Sequence, residues 1–504
     1  MRMKKWSFAA LLLAALGILL AGLSSAPGKN WDSWGRHEKQ YEELTAAILS
    51  GQLALPEEPA AFLAEMDNPY DPAARSIASD ENGAYALIDT AYYKGNYYTY
   101  FGVTPVLLLY LPVYLFSRRI LPTWIAVIFT ALLCVPAAFA LIRALCKRCF
   151  PQASAGTRAL LSLLLVGTLG LPYLAAFCTT YSMPAVMGLL LTMLGLTAFL
   201  HAEREDGSLC RPLLVAGSVC LALTVGCRPV FAASFLLLFP IFTGAIRRGS
   251  FFRPAKTSVI NTACVLLPAL LLGSGFLLYN ALRFDSPFEF GFRYLFTTRD
   301  LLHGSHGFGE TLEGVRLLFF RIPAVHRVFP FMEIVDYQGP FQHVLYVEPL
   351  FGGLLPLHPL LPAAVIPGLF LAIFAVRSRK NEASVSPRGT RQAIPLPFLG
   401  LSSLAIGIVI LVIDASIAGI SQRYESDFAL FFFIPAALLF LSLRERLAAL
   451  NARRLLFILT AALLLITLAE CFLSFASILC DGRYFAMRDW NPEAYNRIAS
   501  FFPS

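Results

Sequence analysis

Long apolar runs restrict the fold of this chain more than any other feature of its sequence. A bilayer core needs about 20 mostly apolar residues per helix, and backbone groups inside it must pair internally. The sequence therefore predicts an all-α fold, a polytopic transmembrane helical bundle of about 11 spans with two long extracytoplasmic loops that carry short interfacial helices. The runs lie roughly at residues 6–25, 120–142, 159–177, 184–200, 212–226, 229–246, 258–281, 352–376, 393–415, 427–443 and 455–476.

Composition agrees with a membrane location. Of the 504 residues, 57% are hydrophobic and only 14% are charged, whereas a soluble domain carries about 25% charged residues. A soluble enzyme, a nucleic-acid binder and a disordered protein are therefore poor interpretations. The net charge of +8 does not indicate a nucleic-acid partner, because basic residues beside apolar runs set orientation in a bilayer.

The orientation depends on one short apolar piece, residues 103–116, which contains Pro105 and Pro112. About 14 residues are short for a span and suit an interfacial or re-entrant segment. If the piece does not span, the basic connectors all fall on the side of the N-terminal basic residues, as the positive-inside rule favours. The connectors lie around residues 143–158, 247–256, 377–391 and 444–454.

This topology divides the chain into six parts and predicts an integral membrane protein. The N-terminus is expected in the cytoplasm and the C-terminus outside. The first run could be a cleaved signal peptide, but its length favours an uncleaved helix. The parts are a first transmembrane helix (1–26), a loop with the re-entrant segment (27–119), transmembrane helices 2–7 (120–281), a second loop (282–351), transmembrane helices 8–11 (352–476) and an extracytoplasmic tail (477–504).

Loop one carries three acidic residues in recognisable surroundings: Glu38, Asp71 and Asp89. Residues 38–49 have the pattern of a short amphipathic helix on the membrane surface. A carboxylate near the headgroups can accept a proton from a hydroxyl nucleophile, and it could also help bind a divalent metal with phosphate oxygens. A solvated acidic loop is the alternative. No resident metal site is predicted, because the histidines and the single Cys-x-x-Cys lack the spacing of one.

Aromatic residues and two arginines mark the rest of the predicted outer face. Residues 92–101 contain six aromatic side chains, which would form an interfacial belt or stack on sugar rings. Arg228 lies between two apolar runs and Arg423 precedes the tenth. Arginine at membrane depth is costly and usually functional or paired, and its fork suits phosphate. Arg423 could instead snorkel, or pair with Glu425 or Asp427.

This combination resembles the GT-C superfamily of polytopic membrane glycosyltransferases, which includes protein mannosyltransferases and aminoarabinose transferases. Residues 38–56 match that family's loop-one helix followed by glycine and proline, and residues 95–112 resemble its segment that enters the membrane. The later Tyr-Asn-x-x-Arg-Phe and Gln-Arg-Tyr sequences are also similar to bacterial members, so the resemblance implies a bacterial plasma membrane. Two departures are His37, in place of the first acid of the family's pair, and Val103-Thr104-Pro105, in place of Lys-Pro-Pro.

The resemblance implies an inverting transfer of a sugar from a polyprenyl-phosphate-linked donor to an acceptor hydroxyl of a glycan, lipid or protein. Glu38, Asp89 or Asp71 would be the base, and a single displacement would invert the anomeric centre. The alternatives are a lipid or sugar transporter or flippase, or a non-catalytic envelope-assembly protein of the same architecture. Convergence of the carboxylates and arginines in one outer cavity would favour the enzyme. The remaining predicted site residues are Arg228, Arg423 and Lys94 at the donor phosphate, and Tyr181, Tyr424 and Tyr97 in the lipid and sugar pocket.

Overall fold

The computed structural model describes residues 5–25, 39–303, 307–334, 336–341, 346–348, 350–378, 393–417, 419–480 and 487–502. Within these ranges the chain is mainly helical with only short strands, and seven helices are long and apolar enough to cross a membrane. They span Ser7–Ser24, Thr123–Cys149, Ser182–Ala202, Lys256–Phe284, Leu396–Ala415, Gln422–Ala449 and Arg453–Leu479. The first of them belongs to a helix that begins at Lys5 and ends at Ser25.

Five shorter apolar helices accompany the seven long ones. Every predicted span coincides with a helix from one of these two sets. The prediction of a polytopic all-α membrane protein is thus confirmed. The five are Val106–Ser117, Ala155–Thr168, Arg211–Gly226, Pro229–Ile241 and Leu360–Ile373. The remaining helices are Gln40–Leu49, Phe62–Glu65, Pro72–Asn82, Leu171–Ala176, Thr243–Arg247, Phe308–Phe320, Leu354–Leu357, Met487–Trp490 and Pro492–Ala499.

The short helix Val106–Ser117 is the piece on which the predicted orientation depends. It begins with a π-helical turn, Val106–Tyr110, and continues as the α-helix Leu111–Ser117. A helix of this length rises about 18 Å, well short of the roughly 30 Å of a hydrocarbon core. The geometry therefore favours a segment that does not span, and the orientation stays a prediction.

Helix Gln40–Leu49 of loop one packs one face against the rest of the protein. Its residues Tyr41 and Leu44 are fully buried, and the Tyr41 ring stacks on Tyr110 at 5.7 Å. The Glu42 carboxylate accepts a hydrogen bond of 2.8 Å from the backbone N–H of Thr123, one of the unpaired donors at the start of that long helix. This hydrogen bond therefore joins loop one to the first residue of helix Thr123–Cys149.

The aromatic stretch of loop one forms a β-hairpin that supports a small core. Strand Ala91–Tyr93 pairs antiparallel with Asn96–Tyr98, and both turn residues, Lys94 and Gly95, have positive φ, as a type I′ turn requires. The Tyr92 ring stacks on Phe296 of loop two at 5.2 Å. These aromatic rings therefore join the two long loops to each other.

Loop two is also attached to the segment before the tenth run. Strand Tyr346–Val347 runs parallel to Gly419–Ile420, and the Glu348 N–H donates to the Ile420 carbonyl at 2.8 Å. The third strand pair, Ala324–Val325 with Met332–Glu333, is antiparallel. Segments that are far apart in sequence, and that the sequence places on the outer side, therefore meet at one end of the bundle.

A different ion-pair group joins segments that the sequence places on the inner side. The carboxylate of Glu203, at the end of helix Ser182–Ala202, accepts hydrogen bonds from both Arg148 and Arg248. The Glu203 side chain is only 2% exposed, so its charge requires these cationic partners. This group and the loop contacts are consistent with the predicted alternation of the connectors.

Glu43 gives loop one a pH-dependent stability. Burial, with smaller contributions from Glu57 and Glu42, raises the pKa of Glu43 from its ordinary 4.5 to about 7. Between these values the folded state binds more protons than the unfolded chain, so stability falls as pH rises through this window. We expect Glu43→Gln to raise the melting temperature of the detergent-solubilised protein at pH 8 and to change it little at pH 5. Differential scanning fluorimetry measures both.

The matched control for Glu43 is Glu58→Gln, which removes an exposed carboxylate from the same loop. It should leave the melting temperature unchanged at both pH values. A gain from Glu43→Gln that is equal at pH 5 and pH 8 would contradict the assigned pKa.

Candidate functional site

One cavity of about 550 Å³ lies where the two long loops meet the ends of the apolar helices. Its size falls within the range of small-molecule sites. Much of its wall is apolar, but its lining also contains seven charged side chains. They are Asp89, Arg228, Arg283, Glu348, Asp414, Arg423 and Asp427.

Asp89 enters the cavity from loop one and is held by its backbone on both sides. Its N–H donates to the Phe296 carbonyl at 2.8 Å, and its carbonyl accepts from the Gln40 side chain at 2.8 Å. Its φ of 59° is uncommon for a residue other than glycine, and such strain is concentrated at functional sites. The Tyr181 hydroxyl donates to its carboxylate.

Arg423 lies behind Tyr181 and is almost fully buried. Its guanidinium makes a two-pronged contact with Glu348, at 2.8 and 3.0 Å, and lies 4.5 Å from the centre of the Tyr181 ring. The sequence suggested Glu425 or Asp427 as a partner of Arg423, but the carboxylate that binds Arg423 is Glu348 of loop two. A fork-to-carboxylate pair of this kind fixes orientation as well as charge.

Arg228 projects from the turn between two apolar helices and pairs with Asp427, in the first turn of helix Glu425–Ala449. Tyr424 lies between the two arginines, with its ring centre 5.5 Å from Arg228 and 5.4 Å from Arg423. Asp414, in the last turn of helix Leu396–Ala415, lines the same part of the cavity and is 3% exposed. The cavity therefore has aromatic rings beside paired charges.

Arg283 differs from the other two cavity arginines. One nitrogen donates to the Thr99 carbonyl at 2.6 Å and another to the Asn280 side chain at 2.9 Å, while its Nε has no hydrogen-bond partner in the described structure. Its exposure is 4%, and no carboxylate of the described residues lies within 4 Å. Its guanidinium lies over the rings of Tyr279 and Phe284, 3.9 and 4.6 Å from their centres. Its charge therefore has aromatic and carbonyl partners but no counter-ion within that distance.

Two glycines allow loop one to close against the turn that carries Arg228. A Cβ on Gly102 would lie 2.1 Å from the Gly226 carbonyl oxygen, a distance that only a backbone shift could relieve. The hydroxyl of Thr104 donates to the Leu223 carbonyl at 2.8 Å in the same contact. The close approach of these two backbones positions Asp89 and Arg228 on the two sides of one cavity.

We expect Gly102→Ala to destabilise the protein by about 1–3 kcal/mol, because overpacked sites of this kind lose that amount. Chemical denaturation in detergent, followed by tryptophan fluorescence, measures the change. Gly273→Ala is the control, since a Cβ there meets nothing within 4 Å. Equal stability of the two variants would contradict the close contact.

Five of the nine predicted site residues line this cavity, namely Asp89, Tyr181, Arg228, Arg423 and Tyr424. Three others lie elsewhere. Asp71 caps helix Pro72–Asn82 by accepting from the Ala73 N–H at 2.9 Å. Lys94 forms an exposed ion pair with Asp285.

Tyr97 is the third of these, and it belongs to the aromatic core rather than to the pocket. Its hydroxyl accepts a hydrogen bond of 3.1 Å from the backbone N–H of Leu87. The ninth predicted residue, Glu38, lies outside the described residues, so its place relative to the cavity stays open.

Four charged residues that line the cavity were not among the predicted site residues, although some carried a sequence signal. Arg283 ends the apolar run at residues 258–281, where an arginine is costly, and Asp414 ends another. Asp427 had been considered only as a partner of Arg423. Glu348 had no signal, because an acidic residue in a long loop is common.

The fold and the cavity define a polytopic helical membrane protein with an aromatic, arginine-containing site at one end of its bundle. No protein-family model matches the sequence, and neither does any curated protein. Among solved structures, the chain is similar to the crystal structure of ArnT from Cupriavidus metallidurans bound to undecaprenyl phosphate. The two share 14% identity with a TM-score of 0.44, over 98% of this chain and 78% of that one.

Proposed function

We propose that this protein is a membrane glycosyltransferase, which moves a sugar from a polyprenyl-phosphate-linked donor to an acceptor hydroxyl on the outer face of the membrane. The observation that carries the proposal is one cavity whose lining includes Asp89 together with three arginines, Arg228, Arg283 and Arg423. A carboxylate and a cationic group are the two parts that displacement of a phosphate from a sugar requires.

Asp89 is the proposed general base. A neutral hydroxyl is a poor nucleophile, and a carboxylate within hydrogen-bond reach removes its proton as the new bond forms. The hydrogen bond from Tyr181 and the two backbone contacts hold the carboxylate in one orientation. Because one displacement breaks the bond between the anomeric carbon and the phosphate oxygen, the product has the inverted configuration.

The arginines are the proposed site of the leaving phosphate. Negative charge develops on that oxygen in the transition state, and preorganised cations stabilise it most where water is excluded. Arg283 supplies a positive charge without a carboxylate partner, while Arg228 and Arg423 are already paired with Asp427 and Glu348. Arg283 therefore contributes the largest uncompensated attraction for an anion.

The apolar part of the lining is the proposed place of the lipid chain. Val225, Val230, Phe276 and Ile413 come from apolar helices and line the same cavity as the arginines. A donor with an isoprenoid chain and a phosphate headgroup matches both parts of this surface. A soluble nucleotide donor would leave the apolar part unfilled, which disfavours it.

Binding of the lipid phosphate tests the first half of the proposal. Purified protein in detergent should retain a polyprenyl phosphate in native mass spectrometry. It should bind the corresponding polyprenol with at least tenfold lower affinity. Equal affinity for the alcohol and for the phosphate would contradict a phosphate site formed by the arginines. Arg119→Gln, which removes an exposed arginine, is the control and should bind the phosphate as tightly as the unchanged protein.

Transfer itself tests the second half. Membranes that contain the protein should convert a labelled polyprenyl-phosphate sugar into a product whose anomeric configuration, determined by NMR, is inverted. Passage of the intact lipid-linked sugar across the bilayer with no broken glycosidic bond would instead identify a flippase. Binding without either reaction would identify a non-catalytic protein.

A further inference from the structure

A second polar group lies in the bundle outside the lining of the main cavity. His358 Nδ1 lies 2.6 Å from Glu470 Oε1, and His358 Nε2 lies 3.8 Å from Glu425 Oε2. We call these three residues the His358 cluster. His358, Glu470 and Glu425 are 7%, 2% and 5% exposed. Ionisable groups this far from water are costly unless they act on one another, and the reaction proposed above uses none of them.

The His358 cluster connects three parts of the bundle. His358 follows helix Leu354–Leu357, Glu425 begins helix Glu425–Ala449, and Glu470 lies in helix Arg453–Leu479. Glu425 Oε1 and Glu470 Oε2 have no hydrogen-bond partner in the described structure, and Gln422 is a further group that acts on Glu425. His358 therefore supplies much of what holds the two carboxyl groups, and it joins the start of one long helix to the next.

Arg423 lies in the turn that leads directly into helix Glu425–Ala449. Its carbonyl accepts a hydrogen bond of 2.7 Å from the hydroxyl of Ser426, in the first turn of that helix. Arg423 also lines a small separate cavity of about 40 Å³ together with His358 and Glu425. The position of this helix start therefore sets the position of the Arg423 guanidinium.

The counter-ion of Arg423 is connected to the same cluster. Glu348 precedes His358 in one connection of the chain. Between them, the backbone N–H of Phe351 donates to the Gln422 side chain at 2.8 Å. Both members of the pair between Arg423 and Glu348 thus belong to segments that lead into the His358 cluster.

We propose that His358 is a positioning residue for the donor-phosphate site, which holds the start of helix Glu425–Ala449 so that Arg423 meets the bound phosphate. The inference rests on the proposed function for that phosphate, but His358 itself does not line the main cavity. A guanidinium recognises phosphate through the directions of its N–H groups as well as through its charge, and a site must hold such groups to within about 0.5 Å. A shift of the helix start would therefore weaken binding without removing any charge from the cavity.

The ratio of the affinities for undecaprenyl phosphate and undecaprenol tests this role, because it measures the phosphate site separately from the lipid chain. Native mass spectrometry of the purified protein, well below its melting temperature, gives both affinities. His358→Phe keeps a ring but loses both ring nitrogens, and it should lower the ratio at least threefold. Glu203→Gln is the matched control, since it breaks the buried ion-pair group with Arg148 and Arg248. It should lower the melting temperature and leave the ratio unchanged.

Gly167→Ala disturbs the cluster more gently. A Cβ on Gly167 would lie 2.6 Å from Glu470 Oε1, so the end of this flexible side chain must move, while alanine improves the helix propensity. The ratio should fall as in His358→Phe. Gly156→Ala, in the same helix, is the control, because a Cβ there meets only Ser154 Oγ, at 3.9 Å. If His358→Phe does not fold, equal ratios in the two glycine variants overturn the positioning role.

An Arg423→Gln background shows whether His358 acts through the arginine. Residues that act through one another have non-additive effects, so His358→Phe should lower the ratio no further once Arg423 is replaced. An equal loss with and without Arg423 overturns the inference. A ratio that His358→Phe leaves unchanged also overturns it, and the proposed function then still stands. Equal affinity of the unchanged protein for undecaprenyl phosphate and undecaprenol overturns both.

Discussion

Asp89→Asn should reduce the rate of sugar transfer by about 10²–10⁴-fold, the usual contribution of a general base, while donor binding stays close to that of the unchanged protein. Asparagine keeps the shape of the side chain and an oxygen that can accept the Tyr181 hydrogen bond. It cannot take a proton from an acceptor hydroxyl. The measurement is single-turnover transfer from a polyprenyl-phosphate-linked sugar at saturating donor, together with binding of the lipid phosphate.

Two further variants make this result specific. Asp80→Asn removes an exposed carboxylate from the same loop and should transfer at the unchanged rate. Glu38→Gln tests the rival base, which the resemblance to the GT-C superfamily implies and which lies outside the described residues. Transfer by Asp89→Asn within about threefold of the unchanged protein, with a large loss in Glu38→Gln, would assign the base to Glu38 instead.

The sequence predicted the helices well because the bilayer imposes a simple rule. A backbone without water must pair its own polar groups, so each apolar run had to be helical wherever it was found. The sequence could not predict how loop one folds. Tyr92 and Tyr97 have the composition of an interfacial belt, but contacts with Phe296 bury them. Those contacts depend on loop two, which is about 200 residues further along the chain.

The candidate site was partly predictable for a related reason. Arg228 and Arg423 are conspicuous because charge is rare beside apolar runs, and both line the cavity. Asp71 and Asp89 were indistinguishable as acidic residues of one loop, since only the fold makes one a helix cap and places the other in the cavity. Partners were hardest to predict, because the Arg423 partner, Glu348, reaches it through a strand pairing between distant segments.

Arg283→Gln should weaken binding of the lipid phosphate and reduce transfer by about 10²–10³-fold, as loss of one preorganised donor to a developing oxyanion does. The effect should exceed that of the other cavity arginines, because Arg228 and Arg423 share their charge with Asp427 and Glu348. Arg283 has hydrogen bonds to Thr99 and Asn280 but no carboxylate partner among the described residues. Binding of polyprenyl phosphate and single-turnover transfer measure the two effects.

A purely structural role of Arg283 predicts a different set of results. Its hydrogen bond to the Thr99 carbonyl supports the hairpin, so Arg283→Gln should also lower the melting temperature somewhat. Arg283→Lys keeps the charge and loses the fork, and it should therefore retain more phosphate affinity than Arg283→Gln, although both lose the paired hydrogen bonds. If the two variants bind the phosphate as tightly as the unchanged protein and differ from it only in stability, Arg283 is a scaffold for loop one. In that case the anion must be held by Arg228 or Arg423, which requires Asp427 or Glu348 to release its arginine when the donor enters.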